Sequence, residues 1–324
     1  MHPIAHFRAE FTAYLEEKVQ TKNPVNLYEP ITYILNLGGK RLRPVLTLMT
    51  AEIFGEDYTK ALDAALAIEV FHNFSLVHDD IMDDAPLRRG QTTVHEKWDI
   101  NTGILSGDAM LIESYRYFER YDGPTFKALV QLFSTTALQV CEGQQFDIDF
   151  EDRDDVTIPE YLKMIEYKTA VLVAAAMKMG AMIARTSQAS QEAIYAFGKY
   201  LGIAFQLQDD YLDAFGDPET FGKQVGGDII ENKKTFLYLK SMDFASEEQR
   251  KALDDLYSIQ PKDSTSKVQT VKEIFMETGG AESTKQAIEE YTKKAFTFLE
   301  QLEVSENNKE VLRQFGLQLM GREV

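Results

Sequence analysis

The sequence predicts an all-α fold, and three observations carry the prediction. Ala61–Met82, Thr125–Gln145, Pro159–Arg185 and Gln191–Leu212 bear apolar residues at helical spacing, lack internal proline and are too long for strands. Glycine and proline fall mostly between such segments, at Gly38-Gly39, Gly90, Gly123-Pro124, Gly216-Asp217-Pro218 and Gly226-Gly227. No alternating apolar pattern of useful length occurs, and no glycine-rich phosphate loop follows a strand.

The elements follow in order. Pro44 opens a helix over Val45–Phe54, because proline suits a first turn. Ala61–Met82 and Gln191–Leu212 are apolar helices, each running into a cluster of aspartates. Pro159 sits in the first turn of its helix with Thr157 as the cap. From about Ser246 the chain is charged and amphipathic and reads as outer helices. No low-complexity linker interrupts it, so residues 1–324 read as one domain.

Composition narrows the function. The apolar fraction of 44% supplies a substantial core. The 34 Lys+Arg stand against 52 Asp+Glu, a net charge of −18, which argues against a nucleic-acid partner. Cys141 is the only cysteine, which excludes an internal disulfide and argues against a cysteine zinc site. The N-terminus lacks the basic and apolar pattern of a signal peptide. The apolar stretch Ala170–Ala184 contains Lys178 and is too short to span a bilayer. A cytoplasmic protein is the simplest expectation.

One five-residue acidic pattern occurs twice, as Asp79-Asp80-Ile81-Met82-Asp83 and Asp209-Asp210-Tyr211-Leu212-Asp213. Residues four apart share a helix face, so Asp79 pairs with Asp83 and Asp209 with Asp213. Crowded carboxylates repel unless a cation sits among them. Mg²⁺ takes oxygen ligands and typically shares a few carboxylates with substrate phosphates. Asp80 and Asp210 face about 100° away from those pairs; they are either ligands or supporting charges. A single such motif in an acidic chain is weak evidence; two at the ends of apolar helices point to a diphosphate held through metal.

Basic groups accompany the acids. Gly38-Gly39-Lys40-Arg41-Leu42-Arg43-Pro44 puts three cations near the start of a helix, which suits a phosphate. Arg88-Arg89-Gly90 follows the first acidic motif; it can grip a phosphate, neutralise Asp83 and Asp84, or both. Lys168-Thr169 lies within an apolar helix, where a lysine otherwise reaches for the surface. Gln206 precedes Asp209 by one turn, on the face of Asp210 and Asp213. Gly222-Lys223 and Lys233-Lys234-Thr235 offer further phosphate contacts or plain loop charge. The five histidines lack metal-ligand spacing, and His78 adjoins Asp79 as a cap or pair. Together these groups suit two diphosphates, one held by metal and one by cations alone.

The run Leu76–Gly90 resembles the first aspartate-rich motif of the trans-isoprenyl diphosphate synthases. Gly39–Pro44 is similar to their upstream basic motif, and Phe205–Asp213 to their second aspartate-rich motif. Lys168-Thr169 and Gly222-Lys223 fall in the family's order, and the likeness runs from about Tyr33 to Lys240. The resemblance implies helices around a deep central cavity and a homodimer. It implies that Asp79, Asp83 and Asp209, supported by Asp80, Asp210 and Asp213, hold Mg²⁺, three ions in all, on an allylic diphosphate. Arg88, Lys168, Lys223 and Lys233 would grip that diphosphate. Lys40, Arg43, His72 and Arg89 would bind isopentenyl diphosphate, and Thr169 and Gln206 would lie near the developing carbocation. Two departures stand out: Asn232 replaces the glycine often found before the lysine equated with Lys233, and the first motif has two residues between its aspartates rather than four.

Product length is expected from the helix that leads to Asp79. At a rise of about 1.5 Å per residue, Phe74 lies roughly 7.5 Å and Phe71 roughly 12 Å below Asp79. Either ring would floor a chain pocket, with small Ser75 beside them, unless both are simply core. In the family an aromatic residue five positions before the first aspartate favours short products. The resemblance therefore implies C15 to C20, geranylgeranyl diphosphate before farnesyl diphosphate. A class I terpene cyclase is the nearest rival, but such enzymes carry a mixed second motif and lack a second diphosphate site. A non-catalytic subunit has no need of intact acidic motifs, and a generic acidic interaction protein has no need of ordered basic partners.

Overall fold

In the computed structural model, residues 1–217 and 225–321 are described. They are almost wholly helical and group into two compact units, Met1–Thr135 with Ala175–Glu192, and Thr136–Ala174 with Ala193–Val324. Lys223 lies outside the described residues. No described helix is long and apolar enough to cross a membrane.

The first unit contains α1 (Ile4–Lys18), α2 (Val25–Asn36), α3 (Leu42–Ile53), α4 (Leu62–Met82), the short α5 (Val94–Lys97) and α6 (Ile100–Arg116). Helix α4 packs against α3 and α6 and is apolar nearly all round, with Ala64–Phe71 wholly buried. Such a helix is a core element. Phe71, Phe118 and Phe133 meet edge to face at its middle, with centroids 5.1 and 5.2 Å apart, a geometry that favours aromatic rings.

Helix α3 starts three residues earlier than the sequence suggests, at Leu42, so Pro44 lies inside its first turn. Arg41 makes this possible. It stands before α3 in the left-handed region (φ 49°) with its side chain turned inward to Glu69. After α4 a two-strand ribbon, β1 (Leu87–Arg88) and β2 (Gln91–Thr92), is the one exception to the helical pattern among the described residues. Its turn residues Arg89 and Gly90 both have positive φ, 54° and 74°. Two such residues give the turn whose twist fits a tight hairpin, and glycine suits the second position.

The second unit takes in the later part of α7 (Gly123–Glu151), α8 (Ile158–Ile165), most of α10 (Gln188–Phe215) and the helices up to Glu306–Met320. Tyr161, Ile165, Leu207, Leu237 and Phe275 belong to its core. The cap expected at Thr157 is present, and Glu160 completes a capping box. The expected continuous helix Pro159–Arg185 is interrupted: α8 gives way to a π-helical turn, Glu166–Ala170, before α9 (Val171–Ile183). Such turns recur at functional sites, and this one carries Lys168 and Thr169.

Candidate active site

In the first unit, acids and cations interlock at the end of α4. Asp80 is buried and accepts from Arg88 Nε at 2.8 Å and from its Nη2; Arg88 Nη2 also reaches Asp79 at 3.4 Å. Arg88 thus hydrogen-bonds Asp79 and Asp80, and it also feels the charge of Asp83, one of the two acids the sequence suggested. Asp83 caps α4 and is exposed. Burial raises the Asp80 carboxyl above its usual range, against the pull of Arg88. Asp80 Oδ2 is buried without a hydrogen-bond partner among the described residues. His78 turns away from Asp79 to the Ile104 carbonyl, 3.2 Å off, so it neither caps nor pairs with that aspartate.

A cationic cluster lies beside this acidic end. Arg43 Nη1 is 3.2 Å from His72 Nε2, which makes that nitrogen the acceptor and the imidazole neutral. Burial holds His72 well below its ordinary pKa, and Arg43, Arg89, Arg88 and Arg41 add to the effect. Burial also pushes Arg43 down to about 10, and its Nε is buried without a hydrogen-bond partner among the described residues. Arg89 donates to the Gly38 carbonyl and is pushed down by burial and by Arg41 and Arg88. Gly39 permits this approach: it has φ 119°, and a Cβ there would lie 3.0 Å from Arg89 Cζ. Lys40 is exposed at the same turn. Half-buried Arg43 and exposed Arg89 and Lys40, set about a neutral imidazole, make a receptor for an anion that solvent can reach.

Arg41 behaves differently from its neighbours. It is 7% exposed, 2.5 Å from Glu69, and also donates to the Leu35 carbonyl. Its role is to pin the chain entering α3, with Lys40 and Arg43 on either side of it.

The second unit holds a cavity of about 230 Å³ lined by the other predicted residues: Lys168, Thr169, Gln206, Asp209, Asp210, Asp213 and Lys233. Gln206 accepts from Thr169 Oγ1 at 3.1 Å and donates to Asp210 Oδ1 at 3.0 Å. Lys168 is 2.5 Å from Asp147. Gly143 allows the π turn to pack against α7, since a Cβ there would come within 2.2 Å of the Lys168 nitrogen. Asp213 accepts from the Asp228 amide at 2.9 Å.

Asp147, Tyr161 and Asp228, which the sequence reading missed, also line the cavity. Asp228 follows the Gly226-Gly227 pair, which was a usable signal; Tyr161 gave none. Tyr161 donates to Asp210 Oδ2. Burial pushes Asp210 up to about 7, with Asp209 and Asp213 adding and the Tyr161 and Gln206 hydrogen bonds opposing. Burial, Asp210 and Asp213 likewise raise Asp228 well above its ordinary value. Carboxylates forced this close stay charged only with a cation among them, and the all-oxygen donor set suits Mg²⁺.

The polyprenyl synthetase family model matches residues 24–275. The chain belongs to that family. The trans-isoprenyl diphosphate synthase resemblance therefore holds, and the all-α fold with it. Among the synthases it resembles is a geranylgeranyl pyrophosphate synthase of Geoglobus acetivorans, 42% identical over 71% of this chain and 72% of that one. A geranylfarnesyl diphosphate synthase of Natronomonas pharaonis is 39% identical over 74% and 76%. A solved geranylgeranyl pyrophosphate synthase is 55% identical with a TM-score of 0.96, covering 100% of both chains.

Proposed function

We propose that this prenyltransferase joins isopentenyl diphosphate to allylic diphosphates and ends at the C20 product. The observation that carries the two-substrate reading is the Arg43–His72–Arg89 cluster, a cationic receptor beside an acidic motif rather than within it. A class I terpene cyclase has no second diphosphate for such a cluster to bind. Lys40, Arg43, His72 and Arg89 would take isopentenyl diphosphate, His72 as a neutral donor through Nδ1. We assign residues 1–324 to one polyprenyl synthetase domain acting in the cytoplasm.

Asp79, Asp83 and Asp209, with Asp80, Asp210 and Asp213 in support, would hold three Mg²⁺ ions, whose charge would stabilise the departing allylic diphosphate. Arg88, Lys168 and Lys233 would grip the same group, and Lys223 belongs to this set by the resemblance. Fixed cations aimed at developing negative charge favour ionisation. Thr169 and Gln206, held to one another, would face the allylic cation with their oxygen dipoles. The isopentenyl double bond then attacks, and a proton leaves to the released diphosphate.

Relatives named for C20 and C25 products show that family membership leaves length open. Phe71 is wholly buried, Phe74 is 8% exposed, and their ring centroids are 5.5 Å apart. We assign the floor to these rings, with Ser75, whose hydroxyl bonds the His72 carbonyl at 2.8 Å, beside them. A homodimer fits the exposed apolar residues Ile104, Leu105 and Ile112 of α6. Light scattering should give twice the chain mass, and Ile112→Asp should reduce it.

Incubation with Mg²⁺, labelled isopentenyl diphosphate and each allylic diphosphate tests the proposal. Labelled C20 diphosphate is expected. Hydrocarbon without label would overturn the reaction, and a C15 end product would overturn the length. Phe74→Ala, alone or with Phe71→Ala, should lengthen the product; unchanged chromatograms would place the floor elsewhere.

A further inference from the structure

The segment Gly226–Thr235 carries Asp228 and Lys233 to the wall of the cavity on a short helix and a run of turns. Its helix, Gly227–Ile230, is four residues long, far below what stands unaided. Internal bonds of 2.9–3.3 Å run from the amides of Ile230, Glu231, Asn232, Lys233 and Thr235 to the carbonyls of Gly226, Gly227, Ile229, Asp228 and Lys233, and the Lys233 ammonium pairs with Glu231 at 2.9 Å. Asn232, immediately before Lys233, is left-handed at φ 60°. Glycine adopts that conformation freely, and asparagine is one of the few other residues that tolerates it.

Outside the cavity, Lys267 of the helix Thr265–Glu277 is 3% exposed. Its ammonium donates to the Asn232 side-chain oxygen, to the Ile259 carbonyl at 2.9 Å and to the Ile230 carbonyl at 3.4 Å. Three donors meet three neutral acceptors, two of them on the segment itself. Burial pushes the amine below its ordinary pKa. The Tyr257 ring also faces the ammonium, 5.8 Å from its centroid. A buried charge held by neutral groups is a costly arrangement, and here it ties down the carbonyl at the end of the short helix and the left-handed residue together. The same helix closes on the other end of the segment, where a Cβ at Gly226 would come 2.7 Å from Val268 Cγ1.

We propose that Lys267 and Asn232 form a brace that fixes the registration of Lys233, and that Lys267 is a positioning residue for the allylic diphosphate. Asn232 thus replaces the glycine's conformational freedom with a side-chain acceptor that Lys267 holds. The inference rests on the reading that Lys233 grips that diphosphate.

The test is steady-state kinetics on folded Lys267→Met, Lys267→Arg, Asn232→Gly and Lys233→Ala variants. Lys267→Met should raise KM for the allylic diphosphate about tenfold, as the loss of a buried charged hydrogen bond implies. KM for isopentenyl diphosphate should stay within about twofold. Lys267→Arg should recover part of the loss. Asn232→Gly, which removes one acceptor without backbone strain, should raise the allylic KM about threefold and serves if Lys267→Met does not fold. An unchanged allylic KM in both Lys267→Met and Asn232→Gly, or equal rises in both substrates' KM, overturns the brace. If Lys233→Ala itself leaves the allylic KM unchanged, the reading of Lys233 fails instead.

Discussion

Arg41→Met should cost about 3–5 kcal/mol of stability, the loss that follows removal of one member of a buried ion pair. The geometry sets the figure. Arg41 is 7% and Glu69 2% exposed, and they lie 2.5 Å apart. After the substitution the Glu69 carboxylate keeps only the Asn73 amide, 3.2 Å from Oε1, among the hydrogen bonds described for it. The Leu35 carbonyl loses the Arg41 donor as well. A native protein holds about 5–15 kcal/mol in all, so the loss is large but survivable. Urea unfolding of wild type, Arg41→Met, Glu69→Leu and the double variant measures it. The double variant should recover most of the loss, because apolar replacement of a whole buried pair is often neutral. Lys40→Ala, two atoms of backbone away but exposed, should leave stability unchanged while raising KM for isopentenyl diphosphate. A loss below about 1 kcal/mol for Arg41→Met, or a double variant no better than the single ones, would refute the structural role given to Arg41.

Other outcomes follow from the same geometry. Gly39→Ala should raise KM for isopentenyl diphosphate, because the added Cβ meets Arg89 Cζ at 3.0 Å and φ is 119°; kinetics that match wild type would show that Arg89 has room to give. Tyr161→Phe removes a donor from buried Asp210, so the Mg²⁺ needed for half-maximal rate should rise about tenfold, the scale of one hydrogen bond to a charged group; a metal titration reads it. His72 is held below its ordinary pKa. Below about pH 6.5 the unfolded chain therefore binds a proton that the folded chain refuses, and this contribution to stability is lost as pH falls. The melting-temperature gap between wild type and His72→Gln should accordingly change between pH 7.5 and 5.5, on the order of those values. Asp210, pushed up to about 7, is partly protonated near neutrality. Binding of Mg²⁺ with diphosphate should therefore release protons, seen as a buffer-dependent heat that Asp210→Asn diminishes.

The helices and the order of motifs were legible because both depend on local spacing. Asp79 and Asp83, Asp209 and Asp213 come from a four-residue period, and no distant contact is needed to find them. Arg41 and Arg43 show where that kind of reading stops. The two stand two residues apart in one basic run, yet the left-handed backbone at Arg41 turns it toward Glu69 while Arg43 meets His72. Tyr161 is 49 residues from Asp210 and their bond is purely tertiary. The π turn was invisible for a related reason: it preserves apolar composition and changes only the register.

That register has an evolutionary consequence. One extra residue in a helix turns everything on one side of it by about 100° relative to the other. Removing a residue from Glu166–Ala170 would restore the regular helical ladder but would turn the buried face of α8, Tyr161, Met164 and Ile165, away from the core. The same deletion would swing Lys168 or Thr169 off the wall they share with Asp147 and Gln206. Selection for stability and selection for turnover would thus both keep this residue, because the core face of α8 and the cavity wall depend on one register. Single-residue deletions at this turn should therefore be expected to lose stability and turnover together.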